Sequence, residues 1–205
     1  MSKTVIIDYG MGNLYSIQNM AKYLGHECLI SDDRKEIGQA DKLILPGVGN
    51  FGMAMKELRS RDLISVLNYR VRDEKVPVMG ICLGMQLLTD FSEEGQCEGL
   101  GWIPAQTRRF AFKGDQLKIP HMGWDYAKVN RKAPIVSNVE ERDRYYFVHS
   151  YYVTCDRDEF SVAKTEYGII FDSIIQNGNV VGTQFHPEKS HQFGMKILKN
   201  FLEKY

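Results

Sequence analysis

Along the first half of the chain, short apolar runs alternate with longer segments whose apolar positions recur at helical spacing. Thr4-Val5-Ile6-Ile7, Glu27 to Ile30 and Leu43 to Leu45 read as strands, with a helix predicted from about Asn13 to Leu24. Two helical patterns begin near Phe51 and Asp62, and the apolar run Val76-Pro77-Val78-Met79-Gly80-Ile81 follows as a buried strand. Beyond it, Leu83, Gln86, Leu87 and Phe91 fall at helical spacing. Strands separated by helices predict an α/β fold with a doubly wound, mostly parallel central sheet flanked by helices. Functional residues gather at the carboxyl ends of such strands, where Gly47 and Cys82 both fall. From Trp102 to Val153 the pattern changes to β-branched and aromatic runs split by turn residues such as Gly114-Asp115 and Asn130-Arg131, which predicts added antiparallel strands or hairpins. Val180 to Phe185 reads as a further central strand. A closing helix from about Gln192 to Lys204 carries Phe193, Ile197, Leu198 and Phe201 on one face, as a sheet-covering helix would. With no Pro/Ser-rich linker or composition break, residues 1–205 are expected to form one domain.

Charge and cysteine usage narrow the function classes. The 26 basic and 26 acidic side chains cancel, and no basic stripe marks a nucleic-acid or anionic-membrane partner. Cys28, Cys82, Cys97 and Cys155 are scattered without a C-x-x-C pair, so neither a metal site nor a disulfide framework is expected. The N-terminus runs into a strand without a signal-peptide core, and no apolar run is long enough to span a bilayer. The expectation is a cytoplasmic protein. Gly10-Met11-Gly12-Asn13 looks like a phosphate-binding loop but lacks both the dinucleotide fingerprint and a P-loop lysine, so no cofactor is expected.

Chemistry concentrates at Gly80-Ile81-Cys82-Leu83-Gly84, where a strand meets a helix. A sharp strand-to-helix turn exposes its central side chain in a strained pose, and flanking glycines remove the Cβ atoms that would clash. Cys82 at a helix N-terminus is favoured as thiolate, which makes it a candidate nucleophile. The competing reading is a buried cysteine in a Gly-rich turn. His186-Pro187-Glu188 follows the late strand and would emerge at the same sheet edge if both strands are central and parallel. His186 is then the candidate base, with Glu188 fixing its tautomer from an extended segment; a solvated His-Pro-Glu turn is the alternative. Pro46-Gly47-Val48-Gly49 offers a loop whose amides face an oxyanion, with the Leu83 amide as the first donor; an ordinary βα turn competes.

Together, Gly80-Ile81-Cys82-Leu83-Gly84-Met85-Gln86, Gly182-Thr183-Gln184-Phe185-His186-Pro187-Glu188 and Pro46-Gly47-Val48-Gly49 resemble the class I (triad) glutamine amidotransferases. Ile7-Asp8-Tyr9-Gly10-Met11-Gly12-Asn13, Pro120-His121-Met122-Gly123-Trp124 and Tyr146-Phe147-Val148-His149-Ser150-Tyr151 look like one branch of that family, the glutaminase subunits of imidazole glycerol phosphate synthase. The resemblance covers essentially the whole chain. It implies hydrolysis of L-glutamine by a Cys82, His186, Glu188 triad through a γ-glutamyl thioester, with the oxyanion held by Leu83 and Gly49. It implies glutamine contacts at Gly49, Gln86, Glu94, His149, Ser150 and Tyr151. It also implies a heterodimer with a (β/α)8-barrel cyclase that receives the ammonia for histidine and AICAR formation, docked over Asn13, Trp124, Tyr146 and Lys189. Core packing competes for Trp124 and Tyr146, a solvated charge for Lys189, and an aromatic strand end for His149-Ser150-Tyr151. The same resemblance implies low activity until the cyclase binds its nucleotide, with Gly47-Val48-Gly49 as the switching peptide.

One departure is Asp125, which stands where relatives commonly carry asparagine. It leaves open a paralogous glutaminase that supplies ammonia for sugar amination in surface polysaccharide synthesis. Two other classes share parts of the pattern: a stand-alone cysteine hydrolase or peptidase, and a catalytically inactive interaction module.

Overall fold

The computed structural model describes residues 2–112 and 117–205, so the expected Gly114-Asp115 turn lies outside the described residues. The first half of the chain builds a parallel sheet from β1 (Thr4–Ile7), β2 (Cys28–Ser31) and β3 (Lys42–Leu45), separated by α1 (Leu14–Tyr23) and α2 (Arg34–Gly38). Helices α3 (Phe51–Ser60) and α4 (Leu63–Asn68), the latter running into a π-helical turn at Tyr69–Asp73, lead to β4 (Val78–Ile81). Helix α5 (Leu83–Leu87) leaves one residue after that strand. β1, β3 and β4 are buried at every position, because helices cover both sheet faces; this is why they read as continuous apolar runs. Successive side chains point to opposite faces of a strand. Accordingly Val5, Ile7, Leu43 and Leu45 join one core with α2, α3 and α4, while Ile6, Ile44, Met79 and Ile81 join a second core.

The second half extends the sheet with antiparallel strands, as the change in pattern at Trp102 predicts. In chain order these are β5 (Phe91–Ser92), β6 (Cys97–Glu98), β7 (Ala105–Arg109), β8 (His121–Tyr126), β9 (Lys128–Val129), β10 (Arg144–His149), β11 (Tyr151–Cys155), β12 (Ser161–Glu166), β13 (Ile170–Asn177) and β14 (Val180–Thr183). The main sheet runs β2-β1-β3-β4-β14-β13-β11-β7-β5-β6, with β12 bridging β13 and β9. β8 and β10 pair antiparallel as a separate two-stranded sheet. Strand β14 is the seam: it runs parallel to β4 and antiparallel to β13. Helix α6 (His191–Lys204) closes the second core with α1, burying Ile197, Leu198 and Phe201 completely or nearly so. Each such side chain contributes roughly 1.5–3 kcal/mol relative to exposure. No helix among the described residues is long and apolar enough to cross a membrane.

Three expectations are corrected. The helix expected to reach Phe91 stops at Leu87, and Phe91 lies in β5. Its last carbonyls are taken from outside: Thr89 Oγ1 donates to Gln86 O at 2.8 Å, Leu100 N to Leu87 O at 2.8 Å, and Trp102 N to Leu88 O at 2.9 Å. A following loop thus supplies the donors that further helical turns would have supplied. Helix α2 was not expected; the Asp33 side chain caps it by accepting from Lys35 N at 2.7 Å. Glu188 is not in an extended segment, because Pro187 opens a 3-10 turn over Pro187–Lys189.

Candidate active site

Cys82 sits between β4 and α5 with φ +55° and ψ −109°, a region that side-chain-bearing residues rarely occupy. Such backbone strain costs about 1–3 kcal/mol and persists only where the surroundings enforce it. Cys82 N donates to Thr183 O at 2.8 Å, and Gln86 N donates to Cys82 O at 3.2 Å. A Cβ on Gly84 would lie 1.8 Å from Leu45 O, and one on Gly80 would lie 2.6 Å from Gly84 O. Both glycines are therefore demanded by close backbone approach. The Cys82 side chain is only 6% exposed, yet it lines a pocket of about 390 Å³, so it is more than a packed cysteine in a turn.

The parallel pairing of β4 with β14 sets Gly80 level with Gly182 and Ile81 level with Thr183. Cys82 and His186 consequently leave the same sheet edge and line the same pocket. His186 Nδ1 lies 2.8 Å from Glu188 Oε1, with both side chains buried. A carboxylate only accepts, so Nδ1 carries the proton and Nε2 is the nitrogen free for exchange. Nε2 is itself buried without a hydrogen-bond partner among the described residues. Burial opposes charge on the His186 ring, but the charge of an ionised Cys82 and the Glu188 carboxylate outweigh it and push its pKa up to about 10. Two contacts reach the sulfur loosely: Cys82 Sγ to Val148 O at 3.9 Å, and Gln184 Nε2 to Cys82 Sγ at 3.9 Å.

Leu83, Gly49, Gln86, Glu94, His149, Ser150 and Tyr151 all line this pocket with Cys82 and His186. Gln86 spends both amide hydrogens, Nε2 lying 3.0 Å from Tyr151 O and 3.2 Å from Gln184 Oε1. What it has left is its carbonyl oxygen, an acceptor for an N–H. Glu94 accepts from Phe51 N at 2.8 Å through Oε2, which leaves Oε1 as a second acceptor. His149 has no ring nitrogen to spare: Nδ1 lies 2.8 Å from Tyr151 O and Nε2 lies 3.0 Å from His121 Nδ1. Burial, reinforced by the charges of His121 and His186, depresses its pKa to about 3 against the Tyr151 carbonyl bond, so this ring is neutral. Gly49, at φ +105°, ends the Pro46-Gly47-Val48-Gly49 loop, which Tyr9 holds from below by donating to Pro46 O at 2.6 Å.

Tyr9 and Gln184 escaped the sequence reading. Both stand inside motifs quoted above, but only the fold shows that Tyr9 holds the Pro46 carbonyl and that the Gln184 amide bridges Cys82 and Gln86. Among the described residues no three His, Cys, Asp or Glu side chains gather to hold a metal ion.

Of the expected contact residues, Trp124 is 42% exposed, which argues against core packing. It stacks on His191 at 5.5 Å and meets Tyr146 edge-on at 6.1 Å. Tyr146 and Asn13 are half-buried, and Lys189 is exposed at the pocket rim. Val48, Ile119 and Met122 are exposed beside pocket-lining positions.

The family model for glutamine amidotransferase class-I matches residues 5–205. The chain belongs to the class-I glutamine amidotransferase family. Among its relatives is the imidazole glycerol phosphate synthase subunit HisH 2 of Methanococcus maripaludis, 50% identical over 97% of this chain and 98% of the relative. The protein of the same name from Pseudomonas aeruginosa is 47% identical over 97% and 98%. The subunit HisH of Bacillus cereus is 47% identical over 96% of this chain and 92% of its own length. Among solved structures, a glutamine amidotransferase superposes with a TM-score of 0.73 at 21% identity, covering 97% of each chain. At that identity the likeness speaks for the fold, the glutamine amidotransferase α/β sheet, and not for the contents of the pocket.

Proposed function

We propose that this chain is the glutaminase subunit of an imidazole glycerol phosphate synthase, releasing ammonia from L-glutamine for a partner cyclase. The observation that carries the reading is the arrangement in one pocket of strained Cys82, His186 bonded to Glu188, and two unspent acceptors, Gln86 Oε1 and Glu94 Oε1. Those acceptors suit the α-ammonium group and the carboxamide N–H of glutamine.

Cys82 Sγ, its proton transferred to His186 Nε2, attacks the carboxamide carbon. The oxyanion that forms is met by the Leu83 amide and by the Gly49 end of the Pro46 to Gly49 loop. His186 then protonates the departing nitrogen, which leaves as ammonia while the thioester forms. Glu188 keeps the ring in the orientation and tautomer for both transfers. Water gives a proton to His186 Nε2 as it attacks the thioester. Return of that proton to sulfur releases glutamate and restores the thiol. No cofactor is required by any step.

Ammonia set free in water is mostly protonated and no longer nucleophilic, so a partner over the pocket mouth is part of this reading. The exposed Val48, Ile119, Met122 and Trp124, with Lys189 at the rim, suit a docking face for a (β/α)8-barrel cyclase, in the cytoplasm. Asp125 keeps a second acceptor in view, a sugar precursor aminated by a similar barrel. The test is to co-purify candidate barrels and measure glutamate release with and without the imidazole-pathway nucleotide. Stimulation supports the histidine role, stimulation only by the sugar precursor moves the acceptor, and hydrolysis of peptides or esters without any partner would overturn the glutaminase reading.

A further inference from the structure

The pocket wall is tied to the surface by a line of polar contacts, one hydrogen bond between histidines and one ion-pair contact, that the proposed chemistry does not use. His121 and His149 sit directly opposite each other on β8 and β10, with His121 Nδ1 3.0 Å from His149 Nε2. His121 Nε2 lies 3.2 Å from Asp125 Oδ2, four residues further along the same strand. Gly123, between them on that face, has no side chain to intervene and bends the strand at φ +136°. His121 is 3% exposed, while Asp125 retains contact with solvent beside Trp124.

Donor and acceptor bookkeeping decides the state of this line. The Tyr151 carbonyl can only accept, so His149 Nδ1 carries the hydrogen and His149 Nε2 accepts. His121 Nδ1 must therefore donate. Its Nε2 then lies 3.2 Å from a carboxylate, where a bare lone pair is repelled and an N–H attracted, so the contact favours hydrogen on both nitrogens. The ring's surroundings favour the cation: Tyr167 stacks on it at 4.0 Å and Phe147 at 4.8 Å, both nearly parallel. Aromatic faces attract a cation placed over them.

We propose that Asp125 holds His121 as a buried imidazolium between Tyr167 and Phe147, and that this cation positions neutral His149 in the wall of the glutamine pocket. An asparagine at 125 would donate its amide hydrogen to a neutral His121, and the His121 Nδ1 bond that holds His149 Nε2 would lose its charge assistance. Asp125 and His121 are positioning residues that act through His149, and their effect on glutamine rests on the glutaminase reading.

The test uses the full chain labelled with ¹⁵N-histidine. At neutral pH the parent shows two rings with both nitrogens protonated, His186 and, distinguished by its stacked aromatic neighbours, His121; in Asp125→Asn the His121 ring becomes a neutral tautomer while His186 stays protonated. In a Cys82→Ala background, which binds glutamine without consuming it, Asp125→Asn weakens glutamine binding roughly three- to tenfold, the scale of losing one charge-assisted bond. With Cys82 present and the partner bound, the same change raises KM and leaves kcat nearly constant. A neutral His121 in the parent overturns the ion pair whatever the activity. Unchanged glutamine affinity overturns the positioning role. If no variant binds glutamine at all, it is the glutaminase reading that fails, and the imidazolium is still decided by the nitrogen signals.

Discussion

Strain at Cys82 can be measured by comparing two substitutions that both remove the sulfur. Cys82→Ala keeps a Cβ at φ +55°, ψ −109°, and with it the steric conflict; Cys82→Gly removes that conflict. The relief is about 1–3 kcal/mol on the usual scale for such backbone outliers. Against it stands the extra chain entropy a glycine loses on folding, about 0.5–1 kcal/mol relative to alanine. The glycine variant should thus be the more stable by about 0.5–2 kcal/mol, the reverse of the order at an ordinary strand or helix position. For a chain of 205 residues this is a rise in melting temperature of roughly 1–8 °C. Equilibrium urea unfolding at neutral pH, supported by calorimetry, reads the difference directly, and neither variant should release glutamate. A Cys82→Gly protein that unfolds at lower urea than Cys82→Ala would refute the idea that the fold stores strain at this turn to present the sulfur.

Gly84→Ala places a methyl 1.8 Å from Leu45 O, where only backbone can yield; we expect a loss of more than about 3 kcal/mol in unfolding free energy or failure to accumulate as soluble protein. Glu188→Gln, which leaves His186 without its carboxylate, should lower kcat for glutamate release by roughly 10²- to 10⁴-fold, measured in the partner complex. The two pocket histidines give stability opposite pH dependences. His186, raised to about 10 from 6.5, contributes stability in full below 6.5 and loses it as pH rises through about 10. His149, depressed to about 3, contributes above 6.5 and loses it as pH falls toward 3. Unfolding curves should show the acid limb flattened in His149→Asn and the alkaline limb flattened in His186→Asn; unchanged limbs would contradict the assignment. Tyr9→Phe strips Pro46 O of its buried donor, and should cost about 1–3 kcal/mol in urea unfolding while slowing glutamate release through a looser loop.

What the sequence made legible was whatever a local constraint writes into neighbouring residues. Gly80 and Gly84 announced the turn at Cys82 because backbone crowds both positions, and continuous apolar runs announced β1, β3 and β4 because both faces of those strands are covered. What stayed hidden was set by distant partners. The end of α5 depends on amides of Leu100 and Trp102, and the helical spacing of Phe91 carries no trace of them. Tyr9 and Gln184 matter through a loop and a sulfur on other elements. His149 shows a subtler gap: its motif placed it in the pocket, but not that both of its nitrogens are turned to Tyr151 and His121. The same holds for Asp125. Read in sequence, aspartate for asparagine is one acceptor in place of one donor on a β-strand. Set 3.2 Å from a histidine whose other nitrogen must donate, it decides whether a buried ring between two aromatic faces is charged. A single-residue departure thus gains its physical meaning from the partner the fold brings to it, and here that partner leads, by one further hydrogen bond, to His149 in the wall of the Cys82 pocket.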